Sequence, residues 1–121
     1  SQISQLLNKY PKGSVQAIWA AWDVPQIGAT QAVDAAGRSE IKTYAVDGSP
    51  DVVSLVKDPK SSAAAVVAQQ PYLIGKTAVQ NAARYLAGDR NLPPATYVPS
   101  LVVTKENAAE VQKTLGQSDA K

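Results

Sequence analysis

The sequence predicts an α/β fold, a parallel sheet flanked by helices. Three observations carry that reading. Short apolar runs rich in Val, Ile and Ala alternate with longer stretches whose apolar positions keep helical spacing. Start and stop signals for helices separate the two kinds of segment. With 121 residues and a 45% apolar content, the chain suffices for one compact domain with a real core. Strand, helix, strand, helix, strand, helix in that order is the signature of right-handed βαβ units on a parallel sheet.

The elements follow in turn. Residues 2–9 read as the end of a helix with Ile3, Leu6 and Leu7 on one face, broken by Pro11-Lys12-Gly13-Ser14. Val15–Ala21 reads as a buried strand, and Trp19 inside it as a core residue. A helix then starts at Asp23-Val24-Pro25-Gln26. Asp23 is the expected cap, Pro25 sits in the first turn where its missing N–H costs little, and Gln26 falls three residues after the cap. Ala29, Ala32, Val33 and Ala36 share one face of that helix, and Gly37 is a suitable residue just past its end. Ile41–Val46 is the next strand. Ser49-Pro50-Asp51 restarts a helix, which ends near Asp58-Pro59.

Ala63–Ala68 suits a strand or a short helix by propensity, and its place in the alternation selects a strand. Gln70-Pro71 opens a long helix reaching Leu86, with Ile74, Ala78, Ala82, Tyr85 and Leu86 at helical spacing. Gly88 ends it. Asn91-Leu92-Pro93-Pro94 is a loop, Tyr97–Thr104 an extended segment, Asn107–Leu115 a last short helix and Gln117–Lys121 a frayed tail.

Composition excludes several function classes. There is no Phe, Met or Cys, and much of the apolar content is Ala and Val, which suits helices packed closely on a sheet. Twelve basic against ten acidic residues leave a net charge of +2, and the basic residues are scattered, so no clustered face for nucleic acid is expected. The chain has no His, which removes the commonest general base and metal ligand. With no His and no Cys, neither a Ser–His nor a Cys–His arrangement can be assembled. No phosphate-binding glycine motif and no metal-ligand spacing occur, so neither a cofactor nor a metal is expected. No apolar run approaches the roughly 20 residues of a membrane-spanning helix. The polar opening Ser1-Gln2-Ile3-Ser4-Gln5 suits a mature product or a fragment.

In parallel α/β sheets ligands bind beyond the carboxyl ends of the strands. That rule selects Ala21-Trp22-Asp23, Val46-Asp47-Gly48 and Gln69-Gln70-Pro71. An indole at Trp22 can lie against the C–H face of a sugar or polyol, or can simply cap the core, and the sequence weighs the two evenly. The carboxylate of Asp47 can hold two neighbouring hydroxyls. A turn Asp more often satisfies local backbone amides. Gly48 lets the turn be tight. The amide of Gln69 donates and accepts, which suits hydroxyls, although a polar residue at a sheet edge needs no ligand. Asp23 is first a helix cap and second a ligand contact.

These segments, in the order VQAIWAAWD, IGATQAVDAAGR, IKTYAVDGSPD, AAAVVAQQPYLIGKTAVQNAARYLAGD and VPSLVVT, resemble the ribose- and galactose-type periplasmic sugar-binding proteins, the receptors of ABC importers. The resemblance runs from about Tyr10 to about Glu106. Val46–Asp51 and Ala68-Gln69-Gln70-Pro71 with Ile74-Gly75 are its most specific pieces. It implies two α/β lobes joined by three crossing strands, with sugar in the cleft between them, a periplasmic location and delivery to a membrane permease. It also implies that Asp47 and Gln69 contact sugar hydroxyls. Ribose-type members carry Asn and Asp where this chain has Trp22-Asp23, so the implied ligand presents an apolar face, another sugar or a linear polyol.

The resemblance further implies that the chain is a fragment. Residues 1–70 would be part of the C-terminal sugar-binding lobe. Residues 71–96 would be a helix and loop that pack on an absent N-terminal lobe, and residues 97–121 the returning segment and tail. The helix over 71–87 would then need its own sheet or a second copy of the chain to cover it. Two other readings share these features: the effector-binding core of a lac-repressor-like regulator, which has the same fold, and a small enzyme of the doubly wound class.

Overall fold

In the computed structural model the backbone of residues 2–119 is described, with side chains for residues 2–116. The order of elements is α1 (Gln2–Lys9), β1 (Ala17–Trp19), α2 (Asp23–Ala35), β2 (Lys42–Asp47), α3 (Pro50–Lys57), β3 (Ala63–Ala68), α4 (Pro71–Leu86), β4 (Leu101–Thr104) and α5 (Ala108–Asp119). The four strands form one sheet in the order β1-β2-β3-β4. β1, β2 and β3 are parallel, and β4 returns antiparallel to β3. Ala63–Ala68 is therefore a strand, as its place in the alternation predicts.

α2 and α3 follow successive parallel strands, pack on β2 and β3 and touch each other, so both lie on one face of the sheet. α1 packs beside α2 and α5 beside α3, so one row of helices covers that face. The core lies beneath the row. Val52, Val53 and Val56 of α3 meet Ala63, Val66, Val103 and Ala108, and Leu7, Val33 and Ile41 form a second cluster toward α1. Val, Ala and Ile supply almost all of it, which allows short, close helix-to-sheet contacts without aromatic rings.

Among the described residues the opposite face of the sheet has no such cover. Trp19, Tyr44 and Ala65 are register partners and share it, as do Val46, Val67 and Val102. None of them is buried, and Trp19 is 64% exposed. The expectation of Trp19 as a core residue is corrected here: β1 is a three-residue edge strand, and its indole stands on the uncovered side. The strand is shorter than the expected Val15–Ala21 because it has β2 alone as a partner.

The start of α2 differs from expectation in an informative way. Trp22, not Asp23, is the residue that precedes the first helical turn, and no side chain caps it. Gln26 does not reach back to the cap. It is fully buried, and its Nε2 donates to the carbonyls of Thr43 at 3.0 Å and Ala65 at 3.1 Å. The ladder between β2 and β3 shifts register between Thr43 and Tyr44, and the amide bridges the two strands there. Thr30 and Thr43 share a hydroxyl hydrogen bond of 2.7 Å beside it.

α4 opens at Pro71 and closes at Leu86, as predicted, but it buries no residue. Ile74, Tyr85 and Leu86 are all exposed. The helix leaves the sheet instead of packing on it, and the loop over 93–98 runs alongside, tied by Asn81 Nδ2 donating to Thr96 Oγ1 at 3.0 Å. Where the chain departs and where it returns, Gln70 Nε2 donates to the Pro99 carbonyl at 2.7 Å. α5 runs on past the expected end at Leu115 and includes 117–119, which were expected to be frayed. The rest of that expected tail, Ala120 and Lys121, lies outside the described residues.

Lys105 fixes the return segment to the helical layer. Its Nζ donates to the carbonyls of Asp58 at 2.7 Å, Ser61 at 3.0 Å and Val56 at 3.4 Å. An ammonium at the carboxyl end of α3 satisfies carbonyls that have no helical partner and meets the negative end of the helix dipole. Lys105→Ala is expected to lower unfolding stability by about 1–2 kcal/mol, read by urea denaturation. An unchanged midpoint would show that this ammonium is idle.

Candidate functional site

Because β1, β2 and β3 are parallel, the residues that follow them emerge at one edge. Turn chemistry then decides what each presents. β2 ends at Asp47 with φ of +99°, and Gly48 follows at +83°. Two consecutive residues in the left-handed region reverse the chain within a step of the strand. Asp is among the few non-glycine residues that tolerate this conformation, at a cost of roughly 1–2 kcal/mol. The turn also presses on β3: a Cβ at Gly48 would overlap the Ala68 side chain and lie 2.7 Å from its Cα. Only glycine fits, so the carboxyl ends of β2 and β3 are held in contact.

That contact places Gln69 against Asp47. The backbone N–H of Gln69 donates to the Asp47 carbonyl at 2.9 Å, and its Nε2 donates to Asp47 Oδ1 at 2.6 Å. Asp47 is half-buried and Gln69 exposed. The pair leaves acceptor capacity on the carboxylate, and a donor and an acceptor on the amide, facing outward.

Asp23 lies deeper, 6% exposed. Its Oδ2 accepts the Ser49 N–H at 2.9 Å, so it holds the turn that carries Asp47 and does not cap its own helix. Burial pushes its carboxyl up, but hydrogen bonds from the Ser49 hydroxyl and backbone, with nearby backbone amides, outweigh burial and hold it below the ordinary value. Trp22, one residue earlier, is 50% exposed at the same edge.

Asp23, Asp47 and Gln69 line one cleft of about 440 Å³. Trp22 is not among its lining residues. The third wall comes from Gln112, Leu115 and Gly116 of α5, which the sequence did not single out. The sequence carried no signal for it, since the helix was expected to end at Leu115, before Gly116. Among the described residues no group of three His, Cys, Asp or Glu could hold a metal ion, and no helix is long and apolar enough to cross a membrane.

Known proteins are similar to this chain in sequence and fold. A family model described as a periplasmic binding protein domain matches residues 1–90. The ribose import binding protein RbsB of Escherichia coli is 36% identical over 88 residues, 73% of this chain and 28% of that protein. RbsB of Haemophilus influenzae is 43% identical over 79 residues, 65% of this chain and 26% of that protein. Among solved structures, an ABC transporter solute-binding protein from Agrobacterium vitis with bound allitol is 57% identical with a TM-score of 0.87, covering 93% of this chain and 39% of that one. An ABC sugar transporter subunit from Rhodobacter sphaeroides is 58% identical with a TM-score of 0.82, covering 88% and 38%. The chain thus spans little more than a quarter of these curated relatives and under two-fifths of these structures.

Two tests follow from the turn. Gly48→Ala is expected to cost about 2–4 kcal/mol, from the unfavourable φ and the overlap with Ala68. A thermal melt within a degree of the parent would refute the close-contact account. Asp23 has a folded-state pKa below its unfolded one, so its contribution is present above the ordinary carboxylate range and lost as pH falls through the native value. The stability advantage over Asp23→Asn should therefore hold near neutral pH and shrink below about pH 4. Denaturation curves at several pH values read this, and a difference independent of pH would contradict it.

Proposed function

The chain belongs to the periplasmic binding protein domain family, and on that premise we propose that it is the C-terminal part of a two-lobe receptor of an ABC importer. The receptor binds a sugar or open-chain polyol in the cleft between its lobes, in the periplasm, and delivers it to a membrane permease. The single observation that carries the reading is the Asp47–Gln69 pair, joined at 2.6 Å at the carboxyl edge of a parallel sheet and facing a cleft. A carboxylate beside a carboxamide offers converging acceptors and donors, the pattern that hydroxyls on adjacent carbons require.

Trp22, outside the lining of this cleft but half-exposed at the same sheet edge, supports a ligand with an apolar C–H face that reaches beyond the cleft. The related proteins with bound allitol and with bound D-allose support the same hydroxyl-rich class. Asp23 acts one step back, by holding the Ser49 amide of the turn. The chain is a receptor and not an enzyme in this reading: with neither His nor Cys, what it offers at the edge is hydroxyl recognition.

Two surfaces support the view that this is one portion of a larger whole. The helix-free sheet face exposes Trp19 and Val102, and α4 exposes Ile74, Tyr85 and Leu86. Apolar area of this kind is normally covered. We assign the cover of α4 and the loop after it to the other lobe, and the sheet face to the earlier part of this lobe. Closure then follows from contacts to ligand that both lobes make together only when shut.

In the full-length protein, Asp47→Ala is expected to abolish sugar and polyol binding by titration calorimetry while leaving the melting temperature within a few degrees, because the side chain is on a turn and not in the core. Unchanged affinity for a ligand found by a thermal-shift screen would remove Asp47 from the site and the reading with it.

A further inference from the structure

We propose that α5 is a ligand-facing wall of the cleft and that the missing side chain at Gly116 sets how far a bound polyol extends along it. This deepens the sugar or polyol reading and rests on it. Gln112, Leu115 and Gly116 sit at positions i, i+3 and i+4 on one face of α5 and line the cleft that holds Asp47 and Gln69. The helix lies beyond residues 1–90, the part of the chain matched by the family model.

The wall is fixed in place. Ala108 is fully buried, Val111 and Leu115 pack against the core of α3 and β3, and Gln112 Nε2 donates to Ser54 Oγ at 3.4 Å. Within this wall Gly116 has no structural excuse. Glycine weakens a helix interior, because it surrenders more conformational freedom than any other residue. It is not an end signal, since α5 continues to Asp119 and its φ is not positive. Nor does packing demand it, since among the described residues nothing lies within 4 Å of where its Cβ would be. Its remaining distinction is that it borders the cleft. The absent side chain leaves room, Leu115 offers an apolar surface and Gln112 a polar one. That combination suits the alternating C–H and O–H groups of an extended hydroxylated chain.

The experiment uses the full-length protein and calorimetric titration with allitol and with ribose. Gly116→Trp should weaken allitol binding by about tenfold or more and ribose binding less, with a melting temperature at or above the parent's, because the glycine is replaced by a better helix former. Gly116→Ala should keep affinity while raising the melting temperature. If Gly116→Trp melts lower than the parent, Gly116→Leu replaces it with the same expectation. Asp47→Ala is run in parallel to separate the two claims. Loss of binding in Asp47→Ala with allitol affinity unchanged in Gly116→Trp overturns the α5 wall alone. Full binding in Asp47→Ala overturns the site itself and this inference with it.

Discussion

The close contact between Gly48 and Ala68 is the constraint on which the rest of the site depends. It brings the ends of β2 and β3 within a distance that any Cβ at position 48 would forbid. The turn residues at the carboxyl edge are placed relative to that contact. Asp47 is turned outward by two successive positive φ values, Gln69 is delivered beside it, and the buried Asp23 fastens the following amide from the neighbouring helix. A backbone strain of this size persists only where surroundings over-determine it. Here the surroundings are a parallel ladder on one side and a buried carboxylate on the other.

The sheet beneath explains why such a site is rigid. Its helical layer is built from Val and Ala, so the helices approach closely and each buried methyl has little space to move. Beneath α2 a hydrogen-bonded chain runs from Thr30 through Thr43 to the Gln26 Nε2, while the Gln26 Oε1 stays buried without a partner among the described residues. Lys105 then ties the returning segment to the end of α3. The result is a one-sided platform: firm where helices cover the sheet, open on the other face and along α4.

Much of this was legible in the sequence, and the reasons differ by element. The starts of α3 and α4 were plain because Ser49-Pro50 and Gln70-Pro71 carry their own mechanism, a residue outside the helix followed by a proline that needs no donor. Gly37 and Gly88 marked ends because both adopt positive φ. The strands after them were readable from apolar runs of the right length. Trp19 was misread because a sequence shows that a residue lies in a strand, not which face of the sheet will be covered. Gln26 was misread as a cap partner because spacing cannot foresee a register shift in a ladder between strands distant in sequence.

The site divides in the same way. Asp47 and Gln69 were legible because position after a parallel strand is a topological property, and alternation alone reveals it. The third wall was not, because Gln112 and Gly116 reach the cleft through a helix that follows an antiparallel return, and no local signal says where such a helix will lie. A single cleft thus draws on two kinds of information. The strand ends supply a carboxylate–carboxamide pair that the turn chemistry fixes, and α5 supplies a boundary set by tertiary packing alone. The second kind can change without disturbing the first, since α5 contributes no strand partner to the sheet and leaves the Gly48 contact untouched. On the proposed reading, ligand class would follow from the strand ends and ligand length from α5, two separable properties of one fold.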